Sequence, residues 1–228
     1  MSFFANYQSQ SSLKYQINKA NKRLLSRYCP MSLIRELEER GILEKIGNEN
    51  LEDLLSFAAK DPAAKQDPQY IWSCYRSYQS VHFHRIAHQL DSLSPTNQIN
   101  PFNILARRIS ERAKVLTGIE IHPAARIGRR FVIDHGHGTV IGETAEIGDD
   151  CYILQGVVLG ATGIAGNKAT KRHPSLGNRV ELGSFVRIFG AVTIGDDVKI
   201  SPYVVITEDI PANSRVILRT QNLIVTNY

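Results

Sequence analysis

Two short segments of this 228-residue chain concentrate side chains able to move protons or hold anions. Asp134-His135-Gly136-His137-Gly138 sets a carboxylate beside two imidazoles, and Arg172-His173 joins a guanidinium to a third. Histidine titrates near neutrality and suits a general base, while a planar guanidinium suits a carboxylate. Other groupings fit chemistry less well. His84 and His88, with His82 on the same helical segment, have the spacing to share a face and bind metal, but that location and the spacing of the other histidines tell against zinc. No metal is therefore expected. Gly160-Ala-Thr-Gly-Ile-Ala-Gly-Asn-Lys is glycine-rich enough for a phosphate loop, yet it lacks the Gly-Lys-Ser/Thr ending and a following helix. Cys29, Cys74 and Cys151 are scattered and odd in number, as expected of reduced thiols in a cytoplasmic protein. Cys151 falls in an apolar strand pattern and is expected in the core.

The elements that must position these groups divide the chain by period. Hydrophobic residues at 43% and charged residues at 21% are ordinary for a soluble globular protein. No apolar run approaches the roughly 18 residues of a membrane span, and the N-terminus lacks a secretory pattern. The net charge of +5 does not form a stripe. Basic residues alternate with acids, as in Arg35, Glu36, Glu38, Glu39 and Arg40, which describes a solvated helix face rather than a nucleic-acid surface. Residues 12 to about 116 read as helices: one around Ser32 ending near a glycine, one capped by Asn50, a long one from Gln69 to about Leu93, and one from about Phe102 to Leu116. A turn cluster at 93–101 precedes the last.

From Ile121 the period becomes six. Ile or Leu stands at 121, 127 and 133, at 141, 147, 153 and 159, and at 176, 182, 188, 194, 200 and 206, and seven of these 13 are followed by Gly. Four residues after many anchors comes a small or β-branched residue such as Ala125, Ala145, Val157 or Val186. A strict six matches a solenoid whose coil has three flat sides, with anchors inward and stacked. A sandwich of short strands would instead give turn signals every 8 to 12 residues. The repeat breaks twice. The step from Ile133 to Ile141 is eight, and the step from Leu159 to Leu176 is 17, leaving 11 residues that must loop out. Both breaks carry histidine, and irregularities in a repeat scaffold are where function concentrates.

The run Ile133-Asp-His-Gly-His-Gly-Thr-Val-Ile-Gly-Glu-Thr-Ala-Glu-Ile-Gly-Asp, with Ile153-Leu-Gln-Gly-Val-Val-Leu-Gly-Ala-Thr-Gly, Arg172-His-Pro, Asp61-Pro-Ala-Ala and Glu120-Ile-His-Pro-Ala-Ala, closely resembles the serine O-acetyltransferase family of hexapeptide-repeat acyltransferases. The resemblance spans about residues 58 to 200. It implies an α+β chain: an α-helical oligomerisation domain at 1–118, a left-handed parallel β-helix at 119–217 with an excursion loop at 161–175, and a tail at 218–228. It further implies a homotrimer or a dimer of trimers, with sites between subunits. The family moves an acetyl group from acetyl-CoA to the hydroxyl of L-serine. By match to its motifs, His135 is the base, the carboxylate at 120 fixes its tautomer, and Asp61 and Asp134 contact serine. Arg172 and His173 help hold the serine carboxylate. His122 is expected to be structural, and His137 to be either a second active-site group or a corner residue.

Three features depart from the family pattern. Glu120 stands where the family has Asp, one methylene longer. Phe185 and Tyr203 stand where later coils carry small residues along the donor arm, so the expected donor contacts are Gly160, Ala161, Ser184, Phe185 and Tyr203. The ending Leu223-Ile-Val-Thr-Asn-Tyr228 departs from the Ile-terminated tail gripped by cysteine synthase, which tells against that partner. Two alternatives follow. One is a homologue acylating a serine-like amino acid from another acyl-CoA or a carrier protein, and the other is a non-catalytic oligomeric scaffold.

Overall fold

The computed structural model describes residues 2–94, 99–166 and 168–219; part of the turn cluster, residue 167 of the excursion loop and the tail beyond 219 lie outside the described residues. Six α-helices come first: α1 (Ser2–Leu25), α2 (Met31–Glu39), α3 (Ile42–Lys60), α4 (Pro68–Cys74), α5 (Arg76–Asp91) and α6 (Pro101–Thr117). A 3₁₀ turn, Pro62–Ala64, sits between α3 and α4. Two helix boundaries differ from the sequence expectation. Asn50 is not a cap but lies buried inside α3, whose inward residues Leu43, Ile46, Leu54 and Phe57 continue one apolar stripe through it. The long helix expected from Gln69 is two, broken where Tyr75 takes an extended conformation (φ −89°, ψ 113°). At α6, Asn100 accepts from the backbone N–H groups of Phe102 and Asn103, and the Asn103 side chain accepts from Asn100 N–H, a reciprocal cap.

Beyond α6 the chain coils through short parallel strands arranged as three sheets. The first stacks Glu120–Ile121, Val140–Ile141, Val158–Gly160, Arg187–Phe189 and Val205–Ile206. The second stacks Arg126–Ile127, Glu146–Ile147, Ser175–Leu176 and Thr193–Ile194. The third stacks Val132–Ile133, Tyr152–Ile153, Glu181–Leu182, Lys199–Ile200 and Arg215–Val216. Successive strands thus visit the three sheets in turn, and each side of a coil pairs with the same side of the next. All 13 six-period anchors are buried in one apolar column. Each such side chain contributes about 1.5–3 kcal/mol on burial, so the column is the main stabilising element of this half.

The two halves are joined by a buried ion pair. Arg85 on α5 donates from Nε to Asp53 Oδ2 (2.8 Å) and from both terminal nitrogens to the carbonyls of Ile127 and Gly128 (2.6 Å each). Asp53 Oδ1 also accepts from the Phe131 backbone N–H (2.9 Å). With every partner hydrogen-bonded, this pair fixes α3 and α5 on the first coil; breaking one side would strand a buried charge. Among the described residues no helix is long and apolar enough to cross a membrane.

Candidate active site

The edge where the third sheet turns into the first carries the first break in the repeat. Asp134 leaves the strand there, and His135 takes a left-handed conformation (φ 58°) that turns its ring outward, with 70% of the side chain exposed. Asp134 Oδ1 accepts from the His135 backbone N–H (2.8 Å), and Oδ2 accepts from the Tyr152 hydroxyl (2.9 Å). The imidazole Nε2 stands 3.7 Å from Asp134 Oδ2. Asp61, at the end of α3, is held in the same way. Its Oδ1 accepts from Ala63 N–H (2.8 Å) and its Oδ2 from the Tyr75 hydroxyl (2.8 Å). The hydrogen bond to Asp61 pushes the Tyr75 phenol up to about 12. Burial, and then the bond to Asp134, raises the Tyr152 phenol. Both phenols remain donors throughout the physiological range. Asp61, Asp134, Tyr75 and Tyr152 also influence one another electrostatically, so the two carboxylates belong to one cluster.

Arg172 and His173 lie on a different edge, between the first and second sheets, where the excursion returns. Thr144 on the preceding coil organises both. Its hydroxyl oxygen accepts from the backbone N–H groups of Arg172 (3.0 Å) and His173 (3.1 Å). Its own N–H donates to His173 Nδ1 (3.1 Å), so that nitrogen is unprotonated and the neutral ring carries its proton on Nε2. Burial lowers the His173 pKa, which favours the same neutral form. Only glycine fits at 142, where a Cβ would stand 2.1 Å from the His173 ring. The Arg172 guanidinium is paired with Glu143. Burial pulls Glu143 upward, but Arg172 outweighs it and the carboxyl stays below its ordinary range.

Glu120 begins the first strand. Its carboxylate accepts from Lys114 Nζ (2.6 Å) and lies 3.9 Å from Arg107; among the described residues no hydrogen bond joins it to His135. His137 packs over Gly118 at the end of α6. His122 accepts from the Ala124 N–H through Nδ1 (3.1 Å), and burial lowers its pKa. Among the described residues no three His, Cys, Asp or Glu side chains converge in a way that would hold a metal ion.

The donor residues expected from the sequence divide between the same two edges. Ser184, Phe185 and Tyr203 continue the edge of His135 into later coils. Gly138, Gly156, Phe185 and Tyr203 form a column in the left-handed region (φ 78°, 70°, 59° and 64°); the N–H of Gly138 donates to Gly118 at the end of α6, and the other three donate to the coil before. The Phe185 ring covers Gly156, where a Cβ would come within 2.3 Å of it, and stacks on Tyr203 with centroids 5.2 Å apart at 15°. Both rings remain exposed. Gly160 and Ala161 instead start the excursion, on the edge of Arg172. Each edge of the chain therefore carries part of the expected acceptor set and part of the expected donor set. Thr144, Glu143, Tyr75 and Tyr152 were not singled out by sequence.

No protein-family model matches the chain. A serine acetyltransferase of Helicobacter pylori is 45% identical over 158 residues, covering 68% of this chain and 84% of that one. A serine acetyltransferase of Bacillus subtilis is 39% identical over 176 residues, covering 77% and 76%. Among solved structures, serine acetyltransferase isoform 3 of Entamoeba histolytica in complex with cysteine superposes with a TM-score of 0.73 at 31% identity, over 96% of this chain and 74% of that one.

Proposed function

The chain belongs to the serine acetyltransferase family, and from that membership we propose how its own residues carry acetyl from acetyl-CoA to L-serine. It is an acetyltransferase, with acetyl-CoA as its co-substrate. The observation that carries the mechanism is the pair of tyrosine-held carboxylates beside His135. Asp61 and Asp134 receive the substrate ammonium group, and Arg172, with His173 beside it, receives the substrate carboxylate through its planar fork. His135 Nε2 takes the hydroxyl proton as the serine oxygen attacks the thioester carbonyl carbon. The tetrahedral intermediate collapses with cleavage of the C–S bond, and the imidazolium returns the proton to the departing thiolate. Glu120 is assigned the orienting of the imidazole, a part for which Lys114 competes.

The division of both residue sets between two edges supports a site completed by a neighbouring copy, in a trimer or a dimer of trimers. We read the coil as left-handed, with the helical domain at 1–118 supporting that assembly and the coil at 119–217 carrying the chemistry. Phe185 and Tyr203 then wall the donor lane, with Ser184 beside them and Gly160 and Ala161 facing it from the neighbour. Free thiols at Cys29, Cys74 and Cys151 accord with a cytoplasmic setting.

Release of free CoA from acetyl-CoA, followed with purified full-length chain and a panel of hydroxy amino acids, tests the reading. Serine-dependent turnover is expected, falling by about a hundredfold or more in His135→Ala. Undiminished turnover in that variant would remove His135 from the role of base, and faster turnover with another hydroxy amino acid would remove serine as the preferred acceptor.

A further inference from the structure

A cavity of about 420 Å³ lies in the helical half, where the end of α1, the α4–α5 junction and α6 meet. Four arginines line it: Arg23 in the last turn of α1, Arg27 just beyond, Arg76 at the first position of α5, and Arg112 on α6. Its lining includes no aspartate or glutamate. Among the described residues none of the four has a carboxylate partner. Arg76 donates to the Gln79 side chain (2.8 Å), and Arg112 Nε is buried with no hydrogen-bond partner. Four like charges converge here, in a chain whose formal net charge is +5.

Helix electrostatics account for only part of this. A basic residue at the carboxyl end of α1 complements the dipole there. Arg76 does the opposite, placing a cation at the positive end of a 16-residue helix. That helix has no side-chain cap, so its first-turn N–H groups remain available at the border of the same cavity. Four guanidinium groups without carboxylate partners, an unpartnered buried Nε and an uncapped helix start are all answered by one kind of occupant, a multiply charged anion. Guanidinium forks match phosphate oxygens in pairs. Trp72 and Tyr75 supply an aromatic wall beside them.

We propose that this cavity is a binding site for a phosphate-bearing small molecule, held by Arg23, Arg27, Arg76 and Arg112 against Trp72. It is separate from the acceptor and donor residues described above, sharing only Tyr75 with the acceptor half-site.

Trp72 is the only tryptophan in the chain, so its fluorescence reports on this cavity. Inorganic pyrophosphate titrated into the full-length protein at constant ionic strength should give a saturable fluorescence change. Arg27→Gln and Arg112→Gln should each weaken it by about tenfold, with the circular dichroism spectrum unchanged. A response matched by chloride at equal ionic strength would overturn the site, as would unchanged pyrophosphate affinity in both variants. Displacement of pyrophosphate by CoA, with the same variants losing affinity for acetyl-CoA, would assign the arginines to the donor lane instead. No saturable response, together with a changed sedimentation coefficient in both variants, would make them an interface between copies. None of these readouts depends on turnover, so they stand or fall apart from the catalytic reading.

Discussion

An aspartate that receives an ammonium group has to be aimed. At Asp61 and Asp134 donors do this: each carboxylate accepts one backbone N–H and one phenol. In the mechanism proposed above, Tyr152 is therefore a positioning residue, acting on serine through Asp134. In Tyr152→Phe, Asp134 loses the hydroxyl donor that fixes its carboxylate. The expected result is a serine KM higher by about tenfold with kcat changed far less. A fall in kcat at unchanged KM would assign Tyr152 to packing alone. Asp61, Asp134, His135, Arg172 and His173 were legible as a motif, whereas their tyrosine partners were not. Yet the spacing held a clue. Tyr152 stacks on Val132, two residues before Asp134, because the coil from Ile133 to Ile153 is 20 residues: three six-residue sides plus the two residues added by the first break. Thr144 precedes His173 by 29, which is one coil plus the 11 residues of the excursion. The six-residue period thus fixes more than the fold, because it also dictates which residues lie above one another in adjacent coils.

Among the elements, the coil was legible because its signal is a six-residue spacing carried by 13 anchors, while the helical half was not read as accurately. Nothing local announces the break between α4 and α5, since Ser73-Cys74-Tyr75-Arg76 contains neither Gly nor Pro. It accompanies the tether of Tyr75 to Asp61, a tertiary contact. Helix α5 itself looks polar, and its packing shows why that pattern misleads. His82 is buried with Nε2 at 2.6 Å from Asn21 Oδ1, and His84 is buried with neither ring nitrogen hydrogen-bonded. Burial pulls His82 down to about 4 and His84 well below its ordinary value. Folded, both stay neutral as pH falls below about 6.5, while in the unfolded chain both take up a proton. The unfolded state thus binds more protons, and stability falls as pH falls through the window from about 6.5 to 4. The stability contribution is fully present above that window. The slope is about 1.4 kcal/mol per pH unit for each histidine. Urea midpoints measured from pH 7 to 4.5 should decline accordingly, and His82→Gln should flatten the decline. An equal slope in wild type and variant would show that His82 does not titrate on unfolding.

For the molecule as a whole, the decisive feature is that the residues proposed to bind the acceptor fall on two different edges of one chain. His135, Asp134 and Asp61 occupy the edge between the third and first sheets, while Arg172 and His173 occupy the edge between the first and second. A three-sided prism has this property built in, because an edge of one copy can approach a different edge of the next only in a cyclic, head-to-tail arrangement. In the trimer proposed above, closure after three copies would give three equal sites, each with its base from one subunit and its arginine from another. This makes a prediction that no single-chain active site shares. His135→Ala and Arg172→Ala should each be nearly inactive as purified homo-oligomers. When the two are unfolded, mixed in equal amounts and refolded together, subunits assort at random. An interface then pairs an intact His135 with an intact Arg172 with a probability of one half times one half. Activity should return to about a quarter of the wild-type value, and should rise with the proportion of mixed assemblies resolved by native mass spectrometry. Mixed assemblies that stay inactive would place both half-sites within one chain and refute the shared-site arrangement. Refolding each variant alone supplies the control, since neither carries the group that the other lacks.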